Sequence, residues 1–397
     1  MVRLTPPQEW LEVVLDPQCW RDAVVAWLGQ RVALAVIFKV SAWLFGMNGV
    51  GRGASLGLAV ASSPWLNWWD SGHYIDIARS GYTAPSQSVF YPLYPLAERA
   101  GASVLSGDYV LAGFVASNIA CLGAMISFRL LAAHALNPHA ARVALVCFAL
   151  APMAVYLAIT YSESLYLLFA ISALLAIRRR WWLAAGFASA LAVLTRQAGM
   201  LLLVPFAIEG LEQLSRDRRA RNVLGVTAGL VMPLLAFVAF GGYLAHHFGP
   251  PLVVLTAERD YWQRYLDWPW VGPLQATNVM LTAADGGARW NAAYDLGVTV
   301  FMGVASLVTA FWARLPLAYG AYVLIGFVGL VMLPVHGSSI GEDLNGLPRY
   351  LLTIFPVFLG LAMWSDARPV RTALAIGSCA AGFVIRVAYF GHPPLVL

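Results

Sequence analysis

The sequence predicts an all-α integral membrane protein that crosses the bilayer many times. Apolar residues make up 60% of its 397 positions, charged residues only 11%, and the mean hydropathy is +0.70. Soluble domains carry about 25% charged residues. Long apolar segments recur along the chain with no intervening soluble stretch. These observations exclude a soluble multidomain enzyme and predict one membrane-embedded domain over residues 1–397.

About eleven apolar segments are candidates to cross the bilayer, which takes roughly 20 residues per ~30 Å of hydrocarbon. They are 23–47, 108–131, 142–159, 163–177, 181–195, 197–212, 222–245, 294–312, 316–335, 350–364 and 370–390. The pair 181–195 and 197–212 is short, at about 22–24 Å each for 1.5 Å per residue. We therefore expect this pair to enter the bilayer part-way and return.

The distribution of arginine predicts how these segments are oriented. The two densest basic clusters are 178–180 and 215–221. The positive-inside rule assigns them to the cytoplasm, together with the N-terminus. The long loops 48–107 and 246–293 then lie on the outer face of the plasma (inner) membrane. Because topology accounts for the net charge of +5, the composition does not indicate a nucleic-acid-binding surface.

The first outer loop holds the most informative residues. It places the carboxylate of Asp70 beside Trp69, His73 and Tyr74, directly after an apolar segment. An ionisable side chain at a membrane face indicates a functional site, and neighbouring aromatic rings suit the stacking of a sugar. We expect a short interfacial helix directly after Asp70. The alternative role of Asp70 is to cap that helix.

Two more charged residues lie at breaks between apolar segments on the same face. Glu163 follows a tight turn and either belongs to the site or stabilises the start of the next helix. Arg196 lies at the tip of two short spans and must pair with an anion. That anion is either a lipid phosphate, which suits the guanidinium fork, or Glu163.

Arg349 and Tyr350 open a later span, directly after an outer loop. Arg349 is either a second phosphate ligand or the ion-pair partner of Glu342 or Asp343. In the second long outer loop, Tyr261 and Trp262 lie among mixed polar and aromatic residues. That loop either walls a groove at the site or forms an ordinary interfacial helix.

Cofactor-binding patterns are missing from the sequence. The four cysteines, Cys19, Cys121, Cys147 and Cys379, have neither zinc-site spacing nor a disulfide framework. We interpret them as small buried apolar residues. No cofactor is predicted, and a divalent metal is possible in principle but not indicated.

Motifs spread over most of the chain carry a family resemblance. They are Trp69-Asp70-Ser71-Gly72-His73-Tyr74, Phe90-Tyr-Pro-Leu-Tyr-Pro95, Tyr161-Ser-Glu-Ser164, Leu194-Thr-Arg196, Gly249-Pro-Pro-Leu252 and Arg349-Tyr350. In this order they resemble the PIG-V family, the second mannosyltransferases of glycosylphosphatidylinositol assembly, and more broadly the integral-membrane GT-C glycosyltransferases. One departure is Gln197-Ala198 after Arg196, where relatives often carry Pro.

The resemblance implies a GT-C fold and a polyprenyl-phosphate-mannose donor used on the outer face. The acceptor is a glycolipid or another glycan. Asp70 matches the acidic residue that GT-C relatives carry in the first outer loop. In an inverting displacement, Asp70 is the general base, and Arg196 and Arg349 stabilise the phosphate leaving group.

The same resemblance, together with position, makes seven further residues candidates for substrate binding: Trp69, His73, Tyr74, Glu163, Tyr261, Trp262 and Tyr350. A polytopic lipid or sugar transporter, or a flippase without transferase chemistry, is the alternative. Such a protein also has many spans, broken helices and buried arginines. It should contain an internal repeat, and none is evident in this sequence.

Overall fold

The structure of the protein is a computed structural model that describes residues 16–44, 70–336, 344 and 346–390. Trp69, Glu342 and Asp343 therefore lie outside the described residues. The described part is helical, apart from one isolated antiparallel bridge between Arg264 and Val335. The predicted all-α class is confirmed.

The described residues contain sixteen α-helices, which are numbered here in chain order. The first eight α-helices are α1 (Pro17–Leu44), α2 (Asp70–Ser80), α3 (Leu93–Val104), α4 (Tyr109–Ala135), α5 (Pro138–Ala149), α6 (Glu163–Arg178), α7 (Trp182–Thr195) and α8 (Leu203–Arg216). The next eight are α9 (Ala220–Phe248), α10 (Val253–Asp260), α11 (Val271–Thr282), α12 (Gly286–Leu307), α13 (Leu317–Val331), α14 (Leu347–Tyr350), α15 (Val357–Ser365) and α16 (Pro369–Phe390). Short 3₁₀ turns occupy Pro85–Val89, Ala154–Leu157, Gln197–Leu202 and Leu351–Ile354, and a π turn, Val308–Trp312, extends α12.

Fewer helices are long enough to cross a membrane than the sequence predicts. Within the described residues six qualify by length and apolarity, and a seventh if Leu347–Ile354 and Val357–Ser365, bent by 70°, form one span. Four other predicted spans are α5, α6, α7 and α13, with 12, 16, 14 and 15 residues. At 1.5 Å per residue these reach only about 18–24 Å. The prediction was of about eleven spans, several of them short; among the described residues the structure has six or seven long ones and several shorter apolar helices.

The predicted span 142–159 is interrupted by irregular backbone. Helix α5 ends at Ala149, shortly before Pro152, because a proline disfavours helical backbone at the residue before it. All residues from 151 to 164 are buried. Irregular backbone at membrane depth is tolerated where protein surrounds it. The result is a buried non-helical segment that leads into Glu163.

The predicted part-way hairpin at 181–195 and 197–212 is wrong in its second half. The 3₁₀ turn Gln197–Leu202 joins α8, and together they form a 20-residue candidate span, Gln197–Arg216. A 3₁₀ helix rises about 2.0 Å per residue, so this element reaches about 33 Å, enough to cross the hydrocarbon. Of the two segments in this pair, only the first, α7, is too short to cross the hydrocarbon.

The short helix predicted after Asp70 is confirmed as α2, Asp70–Ser80, and its position at the membrane interface stays a prediction. A mainly aromatic cluster joins this helix to the described parts of the two long loops that are predicted to lie outside, 48–107 and 246–293, which keep the label outer loops here. Its buried members include Tyr74, Phe90, Tyr94 and, from the second loop, Val253. The two outer loops therefore pack side by side at one end of the helices.

Glu98 on α3 is an unexpected buried acid in the first outer loop. It is 0% exposed, and neither carboxyl oxygen has a hydrogen-bond partner among the described residues. Gly113 on α4 leaves room for it, since a Cβ there would lie 2.5 Å from Glu98 Oε1. Burial raises the pKa of Glu98 well above its usual range. The neutral carboxylic acid is the form that this packing favours.

Replacing Glu98 with glutamine should make the protein less sensitive to high pH. Because the folded-state pKa is raised, the stability contributed by the protonated acid is lost as pH rises from the ordinary carboxyl range through the raised value. Glu98→Gln removes this titration. We expect its thermal midpoint in detergent to fall less between pH 5 and pH 9 than that of the unsubstituted protein. Exposed Glu212→Gln is the control, and equal pH dependence in Glu98→Gln would contradict the prediction.

Candidate active site

Four charged side chains alternate in sign in a buried array at the outer-loop end of the helices. Arg349 Nη2 lies 2.5 Å from Asp70 Oδ2, and Arg349 Nε lies 3.1 Å from Glu163 Oε1. The same glutamate oxygen accepts a hydrogen bond of 2.8 Å from Arg196 Nη1. The Arg349–Glu163 contact is an ion pair without hydrogen-bond geometry. We refer to Asp70, Arg349, Glu163 and Arg196 as the charge array.

Each member of the charge array stands where a helix begins or breaks. Asp70 and Glu163 are the first residues of α2 and α6, where the helix dipole favours a carboxylate. Arg196 has extended backbone, φ −156° and ψ 144°, between α7 and the 3₁₀ turn. Arg349 belongs to the four-residue helix α14. Broken helices thus bring side chains from distant parts of the sequence to one point.

Side-chain hydrogen bonds fix the segment that precedes Glu163. Ser162 Oγ accepts a 3.0 Å bond from Arg196 and lies 2.7 Å from the Tyr74 hydroxyl. Ser71 Oγ donates to the Thr160 carbonyl at 3.0 Å. Helix α2 is therefore tied to this buried segment by two side chains directly after Asp70.

Burial makes the array strongly coupled. The exposed fractions of the side chains are 17% for Asp70, 9% for Arg349, 3% for Glu163 and 11% for Arg196. Two carboxylates and two guanidinium groups compensate one another. Removing one partner of such a buried pair costs about 3–5 kcal/mol because the other charge is left alone.

Three guanidinium groups surround the ring of Tyr350. The Cζ atoms of Arg196, Arg349 and Arg264 lie 5.0, 4.8 and 4.6 Å from its centroid, within cation–π range. Arg349 Nη2 also donates to the Tyr350 hydroxyl at 2.8 Å. Arg264 comes from the second outer loop, so that loop reaches the charge array.

Aromatic residues of both outer loops close one side of the site. The His73 ring stacks on Phe90 at 4.8 Å and meets Trp262 edge-on at 5.4 Å. The Trp262 indole donates to the Ser86 carbonyl at 3.0 Å, which joins the second loop to the first. This contact favours the prediction that the second loop walls a groove at the site over the alternative that it forms an ordinary interfacial helix.

The structure brings most of the sequence-predicted residues together. Asp70, Glu163, Arg196 and Arg349 form the charge array, and Tyr350 contacts its two arginines. His73 and Trp262 contact one another and Phe90. Tyr74 is 3% exposed and packs edge-on against Phe90 and Tyr94, which leaves little ring surface for a sugar. Tyr261 is 57% exposed.

The contacts of the two arginines bear on the alternatives that the sequence left open. Arg196 pairs with Glu163, as one alternative held. Arg349 pairs with Asp70 and Glu163, and neither was anticipated as its partner. The expected partners, Glu342 and Asp343, lie outside the described residues.

Sequence reasoning missed Arg264 and gave no role to Glu258. Burial raises the pKa of Glu258, while Arg264 and Arg196 act to lower it and Asp70 to raise it. The Glu258 backbone carbonyl also accepts a 2.8 Å hydrogen bond from Arg264 N. The only sequence signal is that both residues belong to a loop rich in aromatic residues, which does not distinguish them from ordinary surface charges.

The described residues give little support for a metal centre. Within residues 16–44, 70–336, 344 and 346–390, no group of three or more His, Cys, Asp or Glu side chains could hold a metal ion. The acids of the array are each faced by arginine instead. The arrangement suits the binding of an anion and the transfer of a proton to a carboxylate.

Comparison with solved structures gives two distant similarities. One is ArnT from Cupriavidus metallidurans bound to undecaprenyl phosphate, with a TM-score of 0.47 and 16% identity over 91% of this chain and 71% of that chain. The other is the Archaeoglobus fulgidus oligosaccharyltransferase in complex with Zn and sulfate, with a TM-score of 0.41 and 12% identity over 90% of this chain and 53% of that chain. At these TM-scores neither similarity carries an argument.

Comparison with known sequences is more informative. The family described as Mannosyltransferase (PIG-V) matches residues 60–255, which include Asp70, Glu163 and Arg196. GPI alpha-1,6-mannosyltransferase 2 of Rattus norvegicus is 30% identical over 231 residues, 49% of this chain and 45% of that protein. The Homo sapiens protein of the same name is 34% identical over 121 residues, 28% of this chain and 24% of that protein. The chain thus spans less than half the length of these relatives. Over residues 60–255 it is PIG-V-like, which confirms the family resemblance inferred from its motifs.

Proposed function

We propose that the protein is a GT-C mannosyltransferase that moves mannose from polyprenyl-phosphate-mannose to an acceptor hydroxyl of a glycolipid or other glycan. The observation that carries this proposal is the charge array, in which a carboxylate and two arginines share one buried site. The named activity of the PIG-V-like relatives supports mannose as the sugar. A phosphate-linked donor accounts for the arginines, because guanidinium groups bind phosphate oxygens bidentately.

The proposed reaction is a single displacement with inversion. The acceptor oxygen attacks the anomeric carbon, and its proton passes to Asp70. The bond between that carbon and the phosphate oxygen breaks, and the electron pair stays on the phosphate. Arg349 and Arg196 offset the charge that grows there. No other reactant is needed to balance the step.

The contact between Arg349 and Asp70 gives this mechanism a defined order. In the structure the Arg349 guanidinium lies 2.5 Å from Asp70 Oδ2 and occupies the carboxylate that the acceptor hydroxyl would have to reach. A donor phosphate competes for the same guanidinium. We infer that donor binding draws Arg349 from Asp70 and leaves the carboxylate available to the acceptor hydroxyl, so that the base becomes active only when donor is present.

The direction of the helices supports an extracytoplasmic site and a cytoplasmic N-terminus. Helix α6 runs from Glu163 in the array to Arg178, beside the basic cluster 178–180. The span Gln197–Arg216 likewise begins next to Arg196 and ends in the second basic cluster. The array and the basic clusters thus lie at opposite ends of the same helices. By the positive-inside rule the array faces away from the cytoplasm.

The substitution Asp70→Asn should abolish transfer while leaving donor binding largely intact. Loss of a general base lowers the rate by about 10²–10⁴-fold. The measurement is transfer of radiolabelled mannose from synthetic polyprenyl-phosphate-mannose by the purified protein, with donor binding measured separately. Asp76→Asn, on the exposed face of α2, is the matched control. Turnover by Asp70→Asn at the unsubstituted rate would remove Asp70 as the base.

Movement of intact donor across vesicles without transfer would favour the transporter alternative.

Glu163→Gln should lower stability and turnover together, because it leaves two arginines without their shared carboxylate. The expected loss of unfolding free energy is about 3–5 kcal/mol. The exposed pair of Arg216 and Glu212, with exposed fractions of 54% and 45%, provides a control. Glu212→Gln should cost at most about 1 kcal/mol. Denaturant unfolding in detergent measures both, and equal costs would show that the array contributes nothing beyond a surface pair.

A further inference from the structure

The second outer loop holds Arg264 over the charge array through several backbone contacts. Gln263 adopts φ +53°, and its carbonyl accepts a 2.8 Å hydrogen bond from His336 N. Arg264 itself forms the antiparallel bridge to Val335. On the far side, Asp267 N donates to the Met332 carbonyl at 2.9 Å. The loop is thus fixed to the end of α13 on both sides of Arg264.

The position of Arg264 differs from that of the other two arginines at Tyr350. Arg196 and Arg349 reach the ring from inside the bundle, whereas Arg264 reaches it from a loop and is half-buried. The three Cζ atoms lie within 5.0 Å of one centroid, so no two are more than about 10 Å apart. Three like charges this close require anions. Glu258 belongs to the same loop, and its backbone carbonyl accepts a 2.8 Å hydrogen bond from Arg264 N.

We propose that Arg264 is a third phosphate-binding residue, which contacts the lipid phosphate of the donor from the outer-loop side of Tyr350. This inference rests on the proposed function. The incoming phosphate supplies an anion beside the Arg264 guanidinium, which lies 4.6 Å from the Tyr350 ring centroid. Tyr350 acts as the spacer that keeps the three guanidinium groups apart and oriented.

The chemistry of the leaving group explains why a third arginine is useful. The donor phosphodiester carries one negative charge. When the bond to the sugar breaks, the electron pair remains on the phosphate oxygen, and the released monoester carries about −1.5 to −2 at pH 7. Arg264 therefore interacts more strongly with the product than with the donor. This predicts a difference that a purely structural contact to Tyr350 would not produce.

The test compares inhibition by the product in matched variants. For Arg264→Gln we expect at least a 10-fold weaker inhibition by polyprenyl phosphate and a smaller rise in KM for the donor, because charge-assisted hydrogen bonds are lost. Inhibition of Arg264→Lys by polyprenyl phosphate should be intermediate between that of Arg264→Gln and that of the unsubstituted protein, since lysine keeps the charge but not the planar pair of donors. Arg259→Gln, an exposed arginine on α10, should behave as the unsubstituted protein.

Three ligands distinguish a site for the lipid phosphate from a site for free phosphate or for the lipid chain alone. Polyprenol without phosphate should bind Arg264→Gln and the unsubstituted protein equally. Inorganic phosphate should compete weakly with polyprenyl phosphate, and less so in Arg264→Gln. If inorganic phosphate alone binds as tightly as the lipid, the site is one for a free anion and the inference is overturned.

Folding and activity controls keep the inference testable. If Arg264→Gln fails to fold, Arg264→Lys is compared with the unsubstituted protein, and equal product inhibition overturns the inference. If the unsubstituted protein transfers no mannose, the proposed function fails. In that case, direct binding of polyprenyl phosphate to each variant tests the phosphate-binding role of Arg264 independently of transfer. Unchanged affinity in folded Arg264→Gln would overturn the role assigned to Arg264.

Discussion

Charges that leave water must be paired, and here one carboxylate serves two arginines. Glu163 lies between Arg196 and Arg349, and Arg349 in turn holds Asp70. An unpaired ion in such surroundings costs several kcal/mol, so the four side chains are stable only as a group. The array therefore fixes the relative positions of four separate chain segments. The interruptions of the helices around it follow from the same requirement, because polar backbone at membrane depth must also be surrounded by protein.

The outer loops complete the site through aromatic packing. Trp262 ties the second loop to the first by its bond to Ser86, and His73 lies between Phe90 and Trp262. Glu163 and Arg349 are only 3% and 9% exposed, and this burial strengthens the electrostatic interactions between them. The loops thereby create the environment in which two carboxylates and several arginines act on one another.

Elementary rules identified most members of the array but not how they pair. Ionisable residues at membrane breaks are expected to be functional, and this alone selected Asp70, Glu163 and Arg196. Pairing between Asp70 and Arg349 depends on how the last helices fold back, which no local pattern encodes. Arg264 escaped notice because a loop arginine is ordinary until its neighbours are known. Hydropathy overcounted the spans, because it records that a segment such as α5 is apolar but not whether lipid or protein surrounds it.

Under the proposed function, a balanced array has an advantage over an excess of arginines. Bare guanidinium groups would bind phosphate tightly and release the more highly charged product slowly. Because Asp70 and Glu163 already occupy Arg349, part of the phosphate-binding energy is spent in displacing a carboxylate, which weakens donor and product binding alike. The displaced carboxylate is Asp70, the proposed base. When product leaves, Arg349 returns to Asp70 and the proton is released to water. A single guanidinium thus makes the Asp70 carboxylate available for the transfer step only while phosphate is bound.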